Sequence, residues 1–125
     1  MHMSKNVLIV DDFGPNLLVL ESILEGMPIE ILKASNGQDA LKIILKEHVD
    51  MVLLDVQMPD LTGYEVGELI RNRKKTKQIP ILFLSGLIDK NYFDFKEKYP
   101  ENVECFQKPI NIDEMKICIT HYLNK

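Results

Sequence analysis

Five apolar runs of strand length alternate along this chain with five amphipathic stretches of helix length. That alternation leaves few architectures open. Short connections between strictly alternating units imply a parallel sheet with helices packed on both faces. The strands are read at Val7–Val10, Ile29–Lys33, Met51–Asp55, Pro80–Ser85 and Val103–Gln107. Met51–Asp55 is apolar on both faces, the mark of a central strand, whereas Ile29–Lys33 is less apolar and reads as an edge.

The helices have their own signals. Leu17, Leu20, Ile23, Leu24 and Met27 recur at helical spacing behind Pro15. Ser35-Asn36-Gly37-Gln38 has capping-box spacing, and the helix it opens should bury Ala40, Leu41, Ile44 and Leu45. Thr62-Gly63-Tyr64-Glu65 is a second such box, opening a helix to about Arg73. Asp89 to Lys98 forms the next helix, ended by Pro100. Asn111 caps the last, which should bury Ile112, Met115, Ile119 and Tyr122. His48 and His121 fall on predicted helices and read as surface residues.

The strand ends carry the chemistry. Asp11-Asp12 closes the first apolar run, Asp55 closes the third, and Lys108-Pro109 follows the fifth. In open α/β sheets, ligands bind beyond the carboxyl ends of the strands. Clustered carboxylates repel one another and call for a cation between them.

Bulk properties narrow the class. The chain has 125 residues, enough for one domain with a real core, and a net charge of −4, which gives no reason to expect nucleic-acid binding. The basic run Arg71, Arg73, Lys74, Lys75, Lys77 reads as a solvated helix end. Cys105 and Cys118 have neither metal-ligand nor disulfide spacing and read as free thiols of a reducing compartment. No apolar run reaches membrane-spanning length and no signal peptide is visible, so a cytoplasmic protein without membrane partners is expected. Met1-His2-Met3 reads as a cloning scar, leaving a single domain over residues 4–125 with no output domain expected.

With these residues in view, the chain resembles the CheY-like receiver domain of two-component response regulators. The resemblance rests on Val-Asp-Asp at 10–12, Leu-Leu-Asp-Val-Gln-Met-Pro-Asp-Leu-Thr-Gly at 53–63, Pro-Ile-Leu-Phe-Leu-Ser at 80–85 and Lys-Pro at 108–109. It implies a flavodoxin-like (βα)5 doubly wound parallel sheet in strand order 2-1-3-4-5. It implies that Asp55 accepts a phosphoryl group from a phosphohistidine. Asp11, Asp12, Asp55 and the backbone carbonyl of Gln57 would hold Mg2+ or Mn2+. Ser85 and Lys108 would bind phosphoryl oxygens, and a cis peptide would precede Pro109. The implied partner is a sensor histidine kinase or a histidine phosphotransfer protein, with Phe13, Pro15 and Asn16 near its docking surface. A homodimer through helix 4, strand 5 and helix 5 is also implied, a face that Tyr92, Phe93 and Phe95 would make adhesive. On this reading the chain is a signalling switch, with self-catalysed phosphoryl transfer and autodephosphorylation at most.

Two departures matter. Receivers carry Tyr or Phe three residues before the lysine, and here that position is Cys105; Phe106 should face the opposite side of the strand. In the family, the positions of Gln57 and Leu87 tune the phosphoryl lifetime by shaping water access, and the bulky, apolar Leu87 predicts a moderate-to-slow loss of the phosphoryl group. A competing reading is a phosphorylation-independent receiver that serves as a binding or dimerisation module. A phosphohydrolase with an aspartyl nucleophile needs a second acid two residues after Asp55, where Gln57 stands.

Overall fold

The computed structural model describes residues 4–125; Met1-His2-Met3 lie outside the described residues. Five strands, β1 (Lys5–Val10), β2 (Ile29–Ala34), β3 (Met51–Asp55), β4 (Ile81–Ser85) and β5 (Val103–Gln107), alternate with five helices, α1 (Gly14–Leu24), α2 (Gly37–Lys46), α3 (Gly63–Arg71), α4 (Lys90–Lys98) and α5 (Ile112–Leu123). All strand pairs are parallel, in the order β2-β1-β3-β4-β5. This is the flavodoxin-like (βα)5 arrangement that the resemblance implied.

The period-2 alternation of strand side chains divides the core in two. Leu8, Val10, Val52, Leu54, Ile81 and Phe83 face α2, α3 and α4; Val7, Ile9, Met51, Leu53, Leu82 and Leu84 face α1 and α5. β3 and β4 are buried along their whole length, which is why both read as continuous apolar runs.

Several local expectations need correction. The α2 cap is Asn36, not Ser35: its side chain accepts the Asp39 N–H. Asn36 fits because it leaves Gly37 as the first helical residue. Leu45 and Ile112 point outward rather than into the core. His48 lies beyond the end of α2, exposed, and pairs with Asp50. Helix α3 stops at Arg71, which is buried rather than solvated. Its guanidinium donates to the carbonyls of Ile79, Glu101 and Asn102, tying the entries of β4 and β5 together. Only Arg73, Lys74, Lys75 and Lys77 remain as an exposed basic run. Tyr92 and Phe95 are core residues, and Phe93 alone of that trio is exposed. The Thr62–Glu65 capping box and the Asn111 cap form as expected.

Candidate functional site

Parallel register assembles the site. Val10 pairs with Leu54, so the next residues, Asp11 and Asp55, emerge side by side at the carboxyl ends of the two central strands. Ser85 pairs with Gln107, and the Lys108 N–H donates to the Ser85 carbonyl at 2.8 Å, carrying the ladder one residue further and bringing Lys108 to the same end. The peptide between Lys108 and Pro109 is cis. Asp11, Asp12, Asn16, Asp55, Gln57, Ser85 and Lys108 all line one open cleft. The proposed phosphoacceptor and metal-site residues therefore meet there, whereas Phe13, Pro15 and Leu87 do not line it.

Within the cleft, one carboxylate oxygen from each of Asp11, Asp12 and Asp55 lies within 4.8 Å of the others. Asp11 and Asp55 are buried, and Asp12 is exposed. Lys108 Nζ stands 3.0 Å from Asp55 Oδ1 and 3.6 Å from Asp11 Oδ2. Asp11 Oδ1 accepts the Phe13 N–H at 2.9 Å, whereas Asp11 Oδ2 is buried and accepts no hydrogen bond. Three acids against one ammonium leave the cleft with excess negative charge.

The charge states follow from this crowding. Burial above all holds the Asp55 carboxyl above its ordinary value, and Asp11 and Asp12 add to it against the pull of Lys108. Lys108 also titrates high: burial works against its charge, but the hydrogen bond to Asp55 and the charges of Asp55 and Asp11 outweigh it. The contact itself pulls the Asp55 value down and the Lys108 value up; burial outweighs it at Asp55 and is outweighed at Lys108.

Ser85 is occupied elsewhere. Its hydroxyl donates to the Leu87 carbonyl at 2.6 Å and accepts the Leu87 N–H at 3.2 Å. The Leu87 side chain is exposed. Cys105 packs on the α3–α4 side of the sheet and Phe106 on the α1–α5 side, as strand alternation requires. Phe83 of β4 stands beside Cys105 in register, and against its ring pack Tyr64 of α3 at 4.7 Å and Tyr92 of α4 at 6.3 Å. Burial raises both thiols to about 11, so neither cysteine is a reactive thiolate near neutral pH.

Asp60 and Gly37 were not singled out as individual residues in the sequence. The Asp60 carboxylate accepts the Gly37 and Gln38 N–H groups at the start of α2, a contact between segments 22 or more residues apart that no local spacing reveals. An Asn-Gly pair at a helix start was the one available signal for close approach.

Residues 7–120 match the family model for the response regulator receiver domain, and the chain belongs to that family. It is a receiver domain of the two-component type, a class of signalling switches. It is 30% identical over 124 residues to the autoinducer 1 sensor kinase/phosphatase LuxN of Vibrio campbellii, covering 99% of this chain and 14% of that protein. The chain thus spans about a seventh of the length of that curated relative. It is also 26% identical over 122 residues to the polar-differentiation response regulator DivK of Brucella ovis, covering 97% of this chain and 98% of DivK. Among solved structures, the receiver domain of the sensor histidine kinase PA1611 of Pseudomonas aeruginosa PAO1 superposes with a TM-score of 0.85 at 20% identity, covering 98% of this chain and all of that one. That structure is described with a magnesium ion coordinated in its active site cleft. Among the described residues, no helix is long and apolar enough to cross a membrane.

Proposed function

We propose that this receiver accepts a phosphoryl group on Asp55 from a phosphohistidine of a sensor histidine kinase or a histidine phosphotransfer protein. The observation that carries the reading is the position of Asp55: at the end of a fully buried strand, 3.0 Å from Lys108 and in one cluster with Asp11 and Asp12. In the transfer, an Asp55 carboxylate oxygen bonds to phosphorus as the phosphorus–nitrogen bond breaks. The bond pair stays on the donor imidazole, which takes up a proton. Such a transfer asks the protein for positioning and charge neutralisation more than for covalent chemistry.

The residues present fit a divalent cation. Their donors are all oxygens, suited to Mg2+ or Mn2+, and Asp11 Oδ2 is a buried acceptor without a hydrogen-bond donor. Asp11, Asp12, Asp55 and the Gln57 carbonyl would hold it, consistent with the magnesium described in the Pseudomonas neighbour. A cation held there would supply positive charge against the phosphoryl oxygens. Lys108, already at the Asp55 carboxylate, moves to a phosphoryl oxygen as a point charge. Ser85 leaves Leu87 for another, and that exchange frees the Leu87 backbone and shifts the loop into α4. Gln57 and Leu87 shape water access, and a moderate-to-slow loss of phosphate follows.

A phosphorylation-independent binding or dimerisation module is the second reading, favoured by Cys105 where an aromatic would stand on β5. A homodimer through α4, β5 and α5 would use exposed Phe93. We take residues 4–125 as a single domain, and two protonated free thiols as suited to a reducing cytoplasm. The test is uptake from phosphoramidate with and without Mg2+. Uptake that stops on chelation supports the reading, and the same uptake in excess chelator contradicts it.

A further inference from the structure

Asp60 belongs to the phosphoacceptor loop but does not line the cleft. Its carboxylate reaches the other way, to the start of α2. Oδ1 accepts the Gly37 N–H at 3.1 Å and Oδ2 accepts the Gln38 N–H at 3.0 Å. These are among the first amides of the helix, which have no partner within it. A carboxylate also meets the positive end of the helix there. The Gln38 N–H foremost, then the loop's own Leu61 N–H, and after these the Gly37 N–H hold the Asp60 carboxyl below its ordinary value.

Packing reinforces the contact. A β-carbon at Gly37 would come within 2.9 Å of both Leu61 Cβ and Val66 Cγ2. Side chains of the loop and of α3 therefore occupy the space that any other residue would need. Helix α2 meanwhile has its own cap in Asn36, which accepts the Asp39 N–H at 2.8 Å. Asp60 is not needed to begin the helix, so the grip serves the loop.

The loop needs it. Val56 donates to the Leu84 carbonyl at 3.0 Å, and Gly63 donates to the Val56 carbonyl at 2.8 Å. Between those anchors, the Asp60 pair is the only hydrogen bonding that ties residues 57–61 to another element among the described residues.

We infer that Asp60 is a positioning residue for the chemistry at Asp55: by gripping the Gly37 and Gln38 amides it holds the 57–61 loop in the shape that presents the Gln57 carbonyl to the cation site. The inference rests on the phosphoacceptor reading above. It extends that reading to a residue outside the cleft and to α2, a helix that contributes no side chain to it.

The experiment compares Asp60→Ala with Asn36→Ala, which removes the ordinary cap of the same helix and leaves the loop alone. Thermal melting without metal, Mg2+ titration by calorimetry and amide exchange over residues 57–61 are read for each. Both variants should melt lower than wild type. Only Asp60→Ala should weaken Mg2+ binding, by about tenfold, the scale for losing an outer partner of a metal ligand. Only Asp60→Ala should speed exchange at 57–61. Asp60→Asn, which can still accept at one oxygen, should recover part of both effects. Equal Mg2+ affinities for Asp60→Ala and wild type overturn the inference, as does equal weakening by the two alanine variants. A wild type that binds no Mg2+ removes the phosphoacceptor reading itself, and this inference with it.

Discussion

A β-carbon at Gly63 would stand 2.5 Å from the carbonyl oxygen of Asp55 and 2.9 Å from Val56 Cα. The start of α3 thus lies directly on the peptide that ends β3, and only hydrogen fits between them. The Gly63 N–H donates back to the Val56 carbonyl at 2.8 Å, closing the loop that carries Gln57. Gly63→Ala forces backbone apart from backbone. It should cost about 1–3 kcal/mol, the range for overpacking a close-packed site. A urea midpoint that falls with an unchanged m-value checks this.

Asp55→Asn should stabilise the protein without metal. Burial raises the Asp55 pKa in the folded state, so its ionisation opposes folding. The sign runs with pH. Below the unfolded pKa both states are protonated and there is no penalty. As pH rises through the folded pKa the penalty grows to its full size and then stays. Melting curves should show Asp55→Asn above wild type at pH 7, with the gap closing toward pH 3.

Lys108 competes with any metal for the same acids, lying within 3.6 Å of both Asp11 and Asp55. Lys108→Met should therefore tighten Mg2+ binding by about tenfold, roughly 1.4 kcal/mol, a modest share of the charge interaction at that distance. Calorimetric titration at fixed ionic strength is the check, and weaker binding would count against the assigned competition.

Arg71→Met should be the costliest of these changes to the fold. The guanidinium serves the carbonyls of Ile79, Glu101 and Asn102, and burial lowers its pKa to about 10. Among the described residues, only the Asn102 carbonyl keeps another donor, the Ile81 N–H, so losing the half-buried bonds of a buried guanidinium should cost about 3 kcal/mol. Arg71→Lys should recover only part of it, because an ammonium lacks the planar fork.

Where sequence and structure agree, the signals are local or periodic. Buried strands such as Met51–Asp55 announce themselves as apolar runs, and strand ends place Asp11, Asp55 and Lys108 without further information. The Thr62–Glu65 box was legible because both partners lie within one helical turn. What escaped depends on contacts between distant segments. Arg71 looked like one more basic residue because the carbonyls it serves are 8 to 31 residues away. Tyr92 and Phe95 looked adhesive because their helix has a weak apolar stripe, and only packing against Phe83 shows them to be core. The Ser85 hydroxyl was expected to face a phosphoryl group, and its bond to the Leu87 carbonyl follows from the turn after β4, which leaves no signal in the sequence.

The central claim is that Asp55 is the phosphoacceptor. It is tested most directly by the intact mass of wild type and Asp55→Asn after incubation with phosphoramidate and Mg2+. The account predicts one added phosphoryl group on wild type and none on the variant. Equal addition to both proteins, or none to a folded wild type that binds Mg2+, would contradict it.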